Sequence, residues 1–270
     1  MAAAAKVFEI VTFARDPLRG NPAFVLSDVR DASDGVLKAA CAILRADVVA
    51  VVGVTSGGVT PVRFFTTSGP HAGAGHATLA AAHTVLRGDG DGGAPDATVF
   101  SLPNGDWRAA RVEGDRIAVD FPVMPGSRVD RVAEMTAALG APPAETWVAP
   151  FGYVAVYDDA APIAAMRPDL TRVAAFDRTA VIATAPGNGA SDIVIRVFAP
   201  NAGLPEDPVC GTAHRIIVPY WAERLGKTRI HSRQLSTRGG DLWCEAKGDL
   251  VAIGGETRLV IDGTIHLPAP

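Results

Sequence analysis

Cysteine is scarce in this chain: 270 residues contain three, at positions 41, 210 and 244. An odd number, widely spaced and without a CxxC pair, excludes a disulfide framework and a cysteine-based zinc site. Histidine is sparse too, with six residues, and none stand at the HxxxH or HExxH spacing that puts two ligands on one helix face. No metal site is expected. An excess of one charge is also missing, since 25 Lys and Arg against 29 Asp and Glu leave a formal charge of -4. Nothing there attracts a phosphate backbone or an anionic lipid surface. Although 48% of the residues are hydrophobic, no run approaches the roughly 18–20 apolar residues of a spanning helix. Lys6, Glu9, Arg15 and Asp16 follow the start too soon for the apolar core of a secretory signal. The expectation is a soluble, cytoplasmic protein whose partners include neither nucleic acid nor membrane.

What is present is length enough for one large domain or two ordinary ones. Short runs rich in β-branched and aromatic residues, bounded by Gly, Pro and Asp, predict strands at Val7–Phe13, Ala23–Leu26, Val48–Val54, Val62–Thr66 and Ile117–Phe121. Ala77–Leu86 reads as a helix that is apolar on every face and therefore enclosed. The Gly- and Asp-rich stretch Gly88–Asp96 reads as a solvated loop. The second half repeats the arrangement, with strand-like Thr146–Tyr157, Ala180–Thr184 and Ile193–Phe198 before a helix over Thr212–Leu225. The correspondence extends to detail: Phe64-Phe65-Thr66-Thr67 leads through a loop to Gly75-His76-Ala77-Thr78, and Val197-Phe198-Ala199-Pro200 leads to Gly211-Thr212-Ala213-His214. An internal repeat of this kind predicts an α+β protein of two pseudo-symmetric domains, 1–123 and 132–270, each wrapping strands about a central helix. Met124–Arg131 is the expected linker, and the last strand is free to pack back on the first half.

A glycine just before a buried helix lets a ligand approach the backbone, and the first-turn amides there lack intrahelical partners and favour anions. Gly75 and Gly211-Thr212 hold these places, so two helix starts facing one cleft would cradle a carboxylate or a developing enolate. His76, between Gly75 and the apolar helix, is placed to move a proton, since an imidazole titrates near neutral pH. In Glu206-Asp207-Pro208-Val209-Cys210, the Asp207 carboxylate is expected to orient His76 or to accept a proton itself. Cys210 is open to two readings: a thiolate base with its pKa lowered by the helix N-terminus, or a small buried filler. By pattern alone Asp47 is a strand-entry charge in water.

Together these segments resemble the phenazine-biosynthesis PhzF-like family, which shares the diaminopimelate epimerase fold. The resemblance is carried in order by Gly20-Asn21-Pro22-Ala23, Phe64-Phe65-Thr66, Gly75-His76-Ala77-Thr78, Asp120-Phe121-Pro122, Val197-Phe198-Ala199-Pro200, Glu206-Asp207-Pro208-Val209-Cys210-Gly211-Thr212-Ala213 and Arg238-Gly239-Gly240. It implies two halves, each a barrel-like sheet around a central helix, an active cleft at the paired junctions, and often a homodimer. In that family a glutamate in a Ser-Glu-Thr context moves the proton, beside a histidine and an aspartate that match His76 and Asp207. Gly75, Gly211 and Thr212 match its substrate-binding backbone positions. Here Ala46-Asp47-Val48 stands in place of the glutamate motif, with an acid one methylene shorter. Pro70 and Thr67 stand where the family often has Glu and Pro. Ala74 faces the place of the first of two epimerase cysteines, while Cys210 matches the second.

The resulting expectation is a cofactor-independent isomerase making a general acid/base proton shift on a small carboxylate-bearing substrate. Asp47, His76 and Asp207 are its catalytic candidates, and Gly75, Cys210, Gly211 and Thr212 its substrate-binding candidates. Two alternatives remain open: a Cys210-based racemase or epimerase, and a catalytically silent protein that binds a small acid, motivated by the replaced glutamate.

Overall fold

A computed structural model describes residues 3–27, 29, 32–87, 95–102, 105–111, 114 and 116–267. It divides into two compact units, one of residues 1–120 with 254–270 and one of residues 121–253.

In the first unit, β1 (Ala3–Thr12), β2 (Asn21–Ser27), α1 (Asp34–Leu44), β3 (Val49–Val52), β4 (Val59–Thr66), β5 (Gly69–His71), α2 (Gly75–Leu86), β6 (Ala97–Leu102), β7 (Gly105–Arg111) and β8 (Arg116–Pro122) follow in order. Antiparallel β1–β2 is followed by parallel β2–β3, antiparallel β3–β4, parallel β4–β6 and antiparallel β6–β7. Ten of the twelve residues of α2 are buried. Its alanines give it a narrow surface against which β1, β2, β3 and β6 pack closely. On another face, α1 inserts Val36, Leu37, Ala40 and Cys41 among Leu26, Val49, Val51 and Phe65. Strand β3, enclosed on both faces, is accordingly an unbroken apolar run.

The second unit runs β9 (Ser127–Arg128), α3 (Val132–Leu139), β10 (Glu145–Val148), β11 (Gly152–Val156), α4 (Ala161–Ala165), α5 (Leu170–Ala174), β12 (Ala180–Pro186), β13 (Ile193–Phe198), α6 (Gly211–Leu225), β14 (Arg229–Gln234) and β15 (Gly240–Lys247). The last strand, β16 (Leu250–Leu267), begins here and continues into the first unit, where it pairs antiparallel with β1. The pairings repeat the series of the first unit: antiparallel β10–β11, parallel β11–β12, antiparallel β12–β13, parallel β13–β14 and antiparallel β14–β15. Here α3, α4 and α5 cover one sheet face with Met135, Leu139, Ile163 and Val173, joined by Met166 just after α4.

Helix α6 occupies the place that α2 holds in the first series. Its Trp221 is buried and donates to Thr184 Oγ1 at 3.0 Å, so the indole N–H is satisfied inside the core. Pro219 lies inside the helix and has no N–H for the carbonyl of Arg215. Met124 N donates to that carbonyl instead at 3.1 Å, and Arg215 Nε donates to Pro122 O at 2.8 Å.

Two expected boundaries change. Thr146–Tyr157 is a hairpin rather than one strand, because Pro150 and Gly152 turn the chain between β10 and β11. Met124–Arg131 carries the short strand β9, paired with β10, and belongs to the second unit. Of the loop expected at Gly88–Asp96, residues 88–94 lie outside those described.

Candidate functional site

Both junctions are built alike: a strand ends, a loop follows, and a helix begins on a residue whose side chain makes no cap. At α2 the N-cap is Ala74, and at α6 it is Cys210, each with extended backbone. The first-turn amides of α2 are thereby left to backbone, water or ligand, while at α6 those of Thr212 and Ala213 face the Cys210 sulfur. In each case the residue four positions later bonds back to the N-cap carbonyl, Thr78 Oγ1 donating to Ala74 O at 2.8 Å and His214 Nδ1 lying 2.8 Å from Cys210 O. The two helix starts are locally equivalent although their side chains differ.

In the first unit Gly75 is buried and His76 half-buried. Burial first, and then the proximity of His71, push the His76 pKa down to about 4. The imidazole is therefore neutral at physiological pH, able to accept a proton or to donate a hydrogen bond, and not a standing cation. His71 Nδ1 accepts from Gly73 N at 3.2 Å, fixing the turn before the helix. Asp47 lies exposed in the bend between α1 and β3, and Pro70 is exposed in β5.

In the second unit Asp207 is half-buried and Cys210 and Gly211 are buried, with Thr212 partly accessible. Asp207 N donates to Val197 O at 2.9 Å. Burial first, and then the neighbouring Asp207 carboxylate, push the Cys210 thiol well above its ordinary pKa, outweighing the amides of Ala213 and Thr212 that pull it down. Of the two readings open for Cys210, burial favours the protonated thiol over the thiolate base.

The loop between these residues is clamped by Gln234, Ser236 and Arg196, side chains that the sequence did not single out. Gln234, 1% exposed at the end of β14, accepts from Cys210 N through Oε1 at 2.8 Å and donates from Nε2 to Asp207 O at 2.6 Å. Ser236 Oγ donates to Pro208 O at 2.5 Å. On the other side, Glu206 is gripped by Arg196 through two bonds of 2.7 and 3.0 Å, while the same guanidinium donates to the carbonyls of Met166 and Ile163 at 2.8 and 3.3 Å. His214 lies fully buried with Nε2 2.8 Å from Ser232 Oγ, and burial pushes its pKa down to about 4. It braces the start of α6 as a neutral ring. Among the described residues no group of three or more His, Cys, Asp or Glu is placed to hold a metal ion, and no helix is long and apolar enough to cross a membrane.

A family model for phenazine biosynthesis-like proteins matches residues 10–263. An uncharacterized isomerase of Pseudomonas aeruginosa is 36% identical over 259 residues, covering 96% of this chain and 97% of that protein. The crystal structure of a PhzF-family phenazine biosynthesis protein from Enterococcus faecalis is 31% identical, with a TM-score of 0.91 over 98% of this chain and 100% of that one. A hydroxyproline epimerase from Agrobacterium vitis, solved with trans-4-hydroxy-L-proline bound, is 11% identical and has the same fold, with a TM-score of 0.65 over 100% of this chain and 95% of that one.

Proposed function

From the premise that the chain belongs to the phenazine biosynthesis-like family, we propose that it is a cofactor-independent isomerase that shifts a proton on a small carboxylate-bearing substrate. The observation that carries this reading is the half-buried Asp207 carboxylate beside the buried Cys210 side chain at the start of α6. Asp207 accepts the proton from a carbon activated by the substrate's carboxylate or a conjugated double bond. The electron pair left behind delocalises into an enolate, and reprotonation at another carbon completes the shift. The amides of Gly211 and Thr212 stabilise the anionic oxygens, because first-turn N–H groups point outward with the positive end of the helix dipole. Cys210 contributes an S–H donor there, not a base.

In the first unit Gly75 offers the same amides and His76 a neutral imidazole that can take or return a proton. Asp47, standing where the family glutamate is expected, is exposed and has the shorter arm, so it is assigned the lesser role. A homodimer in the cytoplasm is part of the same reading.

The test is hydrogen exchange in deuterated water followed by NMR, with trans-4-hydroxy-L-proline and unsaturated cyclic carboxylic acids as candidate substrates. Asp207→Asn and His76→Ala should slow exchange by about 10²–10⁴-fold, the usual contribution of a positioned acid or base, and Asp47→Asn should do less. Undiminished exchange in all three variants would remove the assignment. Calorimetric binding of one of these acids without any exchange would replace the isomerase with a silent small-acid-binding protein.

A further inference from the structure

At the far end of α2 from its start, the first unit has a cleft of about 400 Å³ formed by the turn after β1, the last turn of α2 and the middle of β16. We propose that this cleft binds a small oxyanion with two or more negative charges, a polycarboxylate or a phosphate compound, at a second site. Its lining brings Arg15, Arg87 and Arg258 together with a single carboxylate, Glu256, on a chain whose net charge is -4. Guanidinium groups present planar forks that match carboxylate and phosphate oxygens two at a time. The size lies in the lower part of the roughly 300–1,000 Å³ range of metabolite pockets.

The cleft is held in shape by its polar floor and by a constrained turn. His83 Nδ1 lies 2.7 Å from the hydroxyl of Thr257, and both residues are buried. Burial, with the Arg87 charge beside it, pushes the His83 pKa down to about 4, so the ring supplies hydrogen-bonding capacity without adding charge. Arg15 Nη2 donates to Glu256 Oε1 at 2.8 Å, which orients one guanidinium along the rim. The turn that delivers Arg15 starts at Phe13, whose backbone has φ 65° although its side chain is fully buried. A left-handed conformation costs a non-glycine residue about 1–3 kcal/mol and persists only where the surroundings enforce it, often at functional sites. The turn ends at Gly20, with φ 69°, where a Cβ would lie 2.3 Å from Thr12 O. Position separates the cleft from the candidate active site within this unit: Gly75 opens α2 and Arg87 closes it, roughly 18 Å along the helix axis. At this end the helix dipole presents partial negative charge, so the attraction for an anion comes from the arginines.

Calorimetric titration of the whole chain with citrate, and separately with pyrophosphate, at constant ionic strength tests the site. Side-chain ¹⁵N spectra of the histidines would run in parallel. The expected result is saturable one-to-one binding of at least one anion, a shift of the His83 signals on binding, and about tenfold or greater weakening in Arg258→Gln and in Arg87→Gln. Arg224→Gln in the second unit should bind as the wild type does. Whichever of citrate and pyrophosphate binds more tightly identifies the oxyanion class. Absence of saturable binding for both, unchanged affinity in both arginine variants, or binding that leaves the His83 signals unmoved would each overturn the proposal. The site is independent of the isomerase reading, because Asp207→Asn should leave anion binding intact while Arg258→Gln leaves proton exchange intact.

Discussion

Gln234→Leu is the sharpest test of how the Asp207–Cys210 loop is held. The substitution keeps a buried side chain of similar length but removes the acceptor for Cys210 N and the donor to Asp207 O, which are bonded at 2.8 and 2.6 Å. With Gln234 only 1% exposed, little water reaches the orphaned groups. Each unsatisfied buried partner costs about 1–3 kcal/mol, and the gain from burying an apolar side chain returns roughly 1–2 kcal/mol. Taking the middle of each range, the net destabilisation should be about 2–3 kcal/mol. At about 2–4 °C per kcal/mol, Tm should fall by roughly 4–12 °C. Urea unfolding followed by circular dichroism measures this, with the m-value unchanged if the folded state remains compact. Gln234→Glu adds a second reading: it keeps the acceptor for Cys210 N but sets a carboxylate against the Asp207 carbonyl. Its destabilisation should therefore grow with pH as that carboxyl ionises. A loss below about 0.5 kcal/mol in the leucine variant, or a glutamate variant as stable as wild type at neutral pH, would refute the clamp.

Three further outcomes follow. His76, His83 and His214 each have a folded pKa near 4, below the unfolded value of 6.5. The unfolded chain binds their protons first, so their stabilisation is complete above pH 6.5 and is lost as pH falls from 6.5 toward 4. Proton counting during unfolding across that window should show uptake, and none would contradict their burial as neutral rings. Arg196 and Glu206, with side chains 11% and 19% exposed, form a pair in which Arg196→Met alone should cost about 3–5 kcal/mol. A double replacement by methionine should cost less than the sum of the single changes, and strict additivity in denaturant titrations would deny the coupling. All three thiols are buried, and burial raises both Cys41 and Cys210. Iodoacetamide at pH 8 should therefore modify the native protein far more slowly than the urea-unfolded chain; equal rates would restore the thiolate reading of Cys210.

Much of the fold was legible because its signals are local. The alanine-rich helix before Leu86, the apolar runs of β3 and β12, and the two glycine-led helix starts declare themselves within a dozen residues each. Helix α1 was missed, although Ser33 accepts from Val36 N as its N-cap and Asp34 stands in its first turn. Its apolar positions blended into the neighbouring strand signal. The hairpin of β10 and β11 was merged for the opposite reason, since the turn at Pro150 and Gly152 sits between two equally apolar strands. At the candidate site, Asp207, Cys210 and Gly211 were visible as an ordered motif, but Gln234 was not. A lone glutamine 24 residues from Cys210 carries no periodicity, and only the return of β14 beneath the loop gives its amide a purpose.

The sequence by itself determined the α+β class, the repeated strand–loop–helix unit and the family, because hydrophobic period, glycine placement and the order of short motifs are properties of neighbouring residues. Only the tertiary structure decided the protonation states. The sequence left a thiolate and a buried thiol both open at Cys210, and an isolated imidazole argued for a titrating His76. Burial, with Asp207 beside the one and His71 beside the other, raises the first pKa and lowers the second. Desolvation depends on everything that packs around a group, and that is written in no single stretch of the chain.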